Sequence, residues 1–111
     1  YSPKDNKSIK NIVLVINNEY MYNPPVEEYA KLCNYSKYYF IKLFTEITGY
    51  TPAEYRNMVR IEKACLLITN SPYNLSEIAV MTGFSDPSYF TKVFKKYAGQ
   101  SPSQYKDSLK Q

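Results

Sequence analysis

Apolar residues recur along this chain at helical spacing, and each run is bounded by residues that start or stop helices. With Ser8 as its N-cap, a first helix carries Ile9, Ile12, Val13, Ile16 and Tyr20 on one face and must stop before Pro24-Pro25. The residues ahead of it, 1–7, are polar and read as frayed. A short helix over residues 26–33 brings Val26, Tyr29, Ala30 and Cys33 together, and Asn34-Tyr35 makes a tight turn. Ser36 caps a longer helix bearing Tyr39, Phe40, Leu43, Phe44 and Ile47, with Gly49 as its stop. Thr51-Pro52 supplies an N-cap and a first helical residue for a long helix over 51–68, with Tyr55, Val59, Ala64, Leu67 and Ile68 as packing positions. Asn70-Ser71-Pro72 ends it. Then the order restarts. Ser76 caps a short helix over 76–81, Gly83 turns the chain, and Asp86 caps a longer helix with Tyr89, Phe90, Val93, Phe94 and Tyr97. Gly99 closes that helix, and Ser101-Pro102 opens a last one reaching about residue 109.

The restart is a true internal repeat. A shift of 50 residues superimposes Tyr39-Phe40 on Tyr89-Phe90, Lys42 on Lys92, Phe44 on Phe94, Gly49 on Gly99, Pro52 on Pro102 and Tyr55 on Tyr105. Upstream the shift is 49, matching Glu28 to Glu77, Ala30 to Ala79 and Ser36 to Ser85. The one-residue change falls at a turn and helix start, where insertions cost little. Each copy reads as short helix, tight turn, longer helix, Gly stop and Pro-started helix, the marks of a helix-turn-helix. Ala30 and Ala79 are small enough to let the second helix cross closely, and Tyr35 and Phe84 can plug the angle between the helices. The alternative is a helical repeat that binds proteins, but a solenoid wants three or more units and here there are two.

Composition narrows the chemistry. The chain has 111 residues and 44% hydrophobic content, enough for one compact domain (residues 1–111), divided as 1–50, 51–70 and 71–111. Apolar runs such as Ile12 to Ile16 are far short of a membrane span, and no secretion signal is visible. The chain begins at Tyr1 rather than Met, which suggests an excised or processed piece. The net charge of +4 fits a nucleic-acid partner without requiring one. There is no His, and the two cysteines, Cys33 and Cys65, cannot make an ordinary zinc site alone. We expect both thiols to be reduced and half-buried, with no metal and no cofactor. No P-loop, Gly-rich nucleotide turn or convincing carboxylate pair points to an enzyme.

Taken together, Ile78-Ala79, Gly83-Phe84, Ser88-Tyr89-Phe90, Phe94-Lys95-Lys96, Gly99, Ser101-Pro102 and Tyr105 resemble the second helix-turn-helix of the AraC/XylS family DNA-binding domain. Ser36-Lys37-Tyr38-Tyr39-Phe40, Phe44, Thr48-Gly49, Thr51-Pro52 and Tyr55 resemble its first, and Arg60-Ile61, Ala64 and Leu66-Leu67 its connecting helix. The resemblance implies an all-α, seven-helix domain of two helix-turn-helix units joined by a long central helix. Both recognition helices would enter major-groove segments one turn, about 34 Å, apart. It also implies double-stranded DNA as partner, contacts with RNA polymerase, an N-terminal sensor or oligomerisation domain outside this chain, and a cytoplasmic setting in bacteria.

With the aromatic face turned inward, the first recognition helix presents Lys37, Tyr38, Ile41, Lys42 and Thr45. The resemblance puts base readers at Tyr38, Ile41 and Lys42. Lys42 can donate to guanine, whereas Ile41 offers only apolar contact, such as with a thymine methyl, or touches a neighbouring domain. The second helix presents Pro87, Ser88, Thr91, Lys92 and Lys95. By the same resemblance Ser88, Thr91 and Lys92 approach bases while Lys95 and Lys96 reach the backbone, against a plain solvated face for that lysine pair. Pro87 stiffens the helix start but donates nothing. Ser36, Ser85 and Ser101 serve equally as caps or phosphate contacts. Arg56 and Arg60 are expected to orient the units. Most of the 13 tyrosines, Tyr29, Tyr39, Tyr55, Tyr89 and Tyr105 among them, are expected to face inward.

Overall fold

The computed structural model describes residues 1–110. Among these the secondary structure is helical throughout: α1 (Pro3–Asn18), α2 (Val26–Leu32), α3 (Lys37–Thr48), α4 (Pro52–Asn70), α5 (Leu75–Met81), α6 (Pro87–Ala98) and α7 (Pro102–Ser108). The chain divides into two compact units inside α4, the first being Tyr1–Arg56 and the second starting at Asn57.

In the first unit α1 and α2 both pack on α3. Ile9, Ile12 and Ile16 of α1, Tyr29 and Ala30 of α2, and Phe40, Leu43 and Phe44 of α3 are all buried. Aromatic rings run through this core, from Tyr29 to Phe40 to Phe44 to Tyr55, with centroids 6.3, 5.7 and 5.8 Å apart. The second unit buries Ile61, Ala64, Ile68, Ile78, Ala79, Phe84, Phe90, Val93 and Phe94 in one cluster. Phe84, Phe90, Phe94 and Tyr105 repeat the ring series there. Each fully buried large apolar side chain contributes on the order of 1.5–3 kcal/mol.

The turns match as closely as the cores. The Tyr35 amide donates to the Ala30 carbonyl at 3.0 Å, and the Phe84 amide donates to that of Ala79 at 2.9 Å. Asn34, at φ 58°, holds the left-handed conformation that Gly83 holds at φ 103°. Gly49 and Gly99 take the same region, at φ 84° and 81°, where α3 and α6 stop.

Several boundaries differ from the sequence reading: α1 ends at Asn18, short of Tyr20, and α4 runs on to Asn70 rather than residue 68. Helix α1 starts at Pro3, not after Ser8, because the Ser2 hydroxyl accepts from the Asp5 amide and Pro3 sits at the first helical position. Helix α5 is capped by Asn74, not Ser76. The Asn74 side chain accepts from the Glu77 amide while the Glu77 carboxylate accepts from the Asn74 amide, a reciprocal pair that Ser76 has no matching residue to make. Helix α2 ends at Leu32, with Cys33 as its C-cap. Caps at Ser36, Asp86 and Ser101 fall where the sequence puts them.

Both cysteines are free and half-buried, and burial raises the pKa of each thiol, so the thiol rather than the reactive thiolate prevails near neutral pH. Among the described residues no helix is long and apolar enough to cross a membrane.

Candidate nucleic-acid interface

Both recognition helices are built alike. Each has 12 residues, begins at a side-chain cap, buries a Phe-x-x-aliphatic-Phe face and ends on a left-handed glycine. Burying Phe40, Leu43 and Phe44 leaves the other face of α3 free, and burying Phe90, Val93 and Phe94 does the same for α6.

On α3, Tyr38 is 81% exposed. Lys42 is exposed beside it, while Ile41 and Thr45 are half-buried. The Thr45 hydroxyl donates to the Ile41 carbonyl at 2.7 Å, which engages its proton. Lys37, the first residue of α3, lies 3.7 Å from the Glu27 carboxylate at the start of α2. The sequence reading missed Glu27. Its only signal is an acidic residue in the first turn of a short helix beside a predicted recognition helix.

On α6, Pro87, Ser88, Thr91, Lys92, Lys95 and Lys96 are all exposed. Asp86 accepts from the Ser88 amide at 2.9 Å, so its carboxylate satisfies the helix start. The Thr91 hydroxyl donates to the Pro87 carbonyl at 3.0 Å. Lys95 and Lys96 sit in the last turn, where the helix dipole favours cations. Lys96 additionally lies over the Tyr97 ring, 5.4 Å from its centroid.

Two expected inward residues are not buried. Tyr39 is 44% and Tyr89 48% exposed, because each follows a cap and lies at the margin of the buried stripe. Their rings instead cover the plug residues, Tyr39 against Tyr35 at 5.0 Å and Tyr89 against Phe84 at 6.0 Å. The Tyr89 hydroxyl accepts from Asn57 at 3.1 Å. In the first unit the Tyr35 hydroxyl donates to Asp5, which holds that carboxylate below its ordinary range and raises the tyrosine. Arg56 donates to Asn23 at 2.8 Å and lies over Tyr29, and Arg60, only 4% exposed, lies over Phe84.

A buried aromatic core, a glycine-like turn and an exposed polar helix face, present twice, define a helix-turn-helix protein. A family model described as a helix-turn-helix domain matches residues 29–108. The MmsAB operon regulatory protein of Pseudomonas aeruginosa is 35% identical over 86 residues, covering 78% of this chain and 28% of that protein. The C-terminal domain of AraT, a response regulator from Geobacillus stearothermophilus, aligns at a TM-score of 0.82 with 26% identity, over 96% of this chain and 86% of that one. The DNA-binding domain of AdpA, solved with a target DNA, aligns at 0.85 with 24% identity over 92% of both chains, a likeness of fold. The chain belongs to the helix-turn-helix family of AraC-type DNA-binding domains. It spans less than a third of the Pseudomonas relative's length.

Proposed function

We propose that this chain binds duplex DNA sequence-specifically through α3 and α6, each inserted into a major-groove segment, and serves as the DNA-binding part of a bacterial transcription regulator in the cytoplasm. The observation that supports this most is the repeated division of faces. Phe40, Leu43 and Phe44, and again Phe90, Val93 and Phe94, are buried, while Lys42, Ser88, Thr91, Lys92 and Lys95 are exposed on the same helices. Lys42 and Lys92 donate to guanine edges, Ser88 and Thr91 offer hydroxyls, and Tyr38 and Ile41 make apolar contact with thymine methyls. Lys37, Lys95 and Lys96 take phosphates, Pro87 stiffens the entry of α6, and Thr45 lies along the groove wall. In the parent protein the partners are RNA polymerase and a sensor or oligomerisation domain. No catalytic role is assigned.

The test is selection from a random pool of duplexes. The wild-type chain should enrich a discrete site, and Lys92→Ala should relax preference at one position, worth about 1–3 kcal/mol of discrimination. A pool that emerges without an enriched sequence would defeat the specific-reader assignment.

A further inference from the structure

Lys37 and Glu27 form an ion pair that has no counterpart among the described residues of the second unit. Both side chains are open to solvent, 45% and 61% exposed, and their charged atoms are 3.7 Å apart. They face a hollow shared with Ala30, Lys31, Asn34 and Tyr35. At the repeat offset of 49 residues, Glu27 corresponds to Ser76. Lys37 and Pro87 are each the first residue of their recognition helix. A hollow of the second unit that shares the corresponding positions Ser76, Ala79 and Pro87, and extends to α7, is lined by no charged side chain. The acidic residue is therefore a property of one copy, not of the helix-turn-helix as such.

We propose that Glu27 is a positioning residue that competes with a backbone phosphate for Lys37 and so lowers the affinity and salt dependence of the first unit. This rests on the DNA-binding reading above. A lysine ammonium carries one charge and neutralises either a carboxylate or a phosphate. An exposed pair is weak enough for a phosphate to break. Lys37 consequently displaces less than one counterion on binding, and removing the carboxylate restores the rest.

The experiment uses the 111-residue chain and the duplex of about 25 base pairs that it enriches from a random pool, titrated between about 50 and 200 mM salt. Glu27→Gln should tighten binding by roughly threefold to tenfold at the low end. The gain should shrink by about threefold at the high end, with the log–log slope steeper by up to about 0.9, one phosphate contact. Lys37→Met should remove that gain, so that Glu27→Gln/Lys37→Met binds as Lys37→Met does. A gain that persists undiminished without Lys37 overturns the inference, since Glu27 would then act by direct repulsion. Unchanged affinity and slope in Glu27→Gln, with the wild type binding normally, overturns it as well. A wild-type chain that binds no duplex removes the DNA-binding reading itself, and the inference with it.

Discussion

Asn34 shows how a single residue can stand in for a glycine. Its φ of 58° is in the left-handed region, where a side chain costs about 1–2 kcal/mol and Asn is among the few residues that tolerate it. The matching turn uses Gly83, which has no Cβ to clash. Asn34→Ala should therefore destabilise the chain by about 1 kcal/mol, and Asn34→Gly should leave it nearly unchanged. Urea midpoints of the two variants and the wild type check this. Equal loss in both would show that the Asn side chain, not its backbone conformation, matters. These turns were legible in the sequence because Asn and Gly mark such positions locally. The exposure of Tyr39 and Tyr89 was not legible. Helical spacing sets them beside the buried Phe40 and Phe90, and only the packed neighbours reveal that their rings cover the surface of Tyr35 and Phe84 instead of entering the core.

Among the elements, helix order and type follow from apolar spacing and stop residues, whereas some starts depend on more than one residue. Thr51 and Pro52 begin α4 as their types suggest, and Glu54 completes a reciprocal cap with Thr51, its carboxylate accepting from the Thr51 amide at 2.9 Å. For α5 two capping residues compete within three positions. Asn74 prevails because Glu77 lies three residues later and can reach back, whereas Ser76 would pair with Ala79. Asn74→Ala should cost about 1 kcal/mol, and Ser76→Ala, at an exposed position inside the helix, should stay within about 0.5 kcal/mol of wild type. Chemical denaturation ranks them directly, and the reverse order would reassign the cap. Helix α1 teaches the same lesson: Ser2 and Pro3 outcompete Ser8 because a Ser with Pro at the next position and a free amide three residues on forms a complete start.

At the scale of the molecule, the charge is modest, with 14 basic against 10 acidic residues. Duplex affinity must then come from where the lysines lie more than from their excess. Lys37, Lys95 and Lys96 account for the phosphate contacts assigned above, with helix starts and hydroxyls supplying others. If about 6 phosphates are engaged in all, affinity should fall by roughly a thousandfold between about 50 and 200 mM salt. Lys95→Ala should weaken selected and unrelated duplexes alike and reduce the slope by about 0.9. Fluorescence anisotropy over a salt series measures both, and a loss confined to the selected site would move Lys95 to base reading. From sequence alone came the seven helices in order, the repeat offsets, most of the buried apolar residues and the family, because periodicity, caps and stops are written in neighbouring residues. Tertiary structure alone decided that Tyr39 and Tyr89 stay at the surface and that Lys37 meets Glu27, whereas the choice between nearby caps was set by residues within three positions. The first two depend on side chains brought together across a turn or from separate helices, which no local pattern encodes.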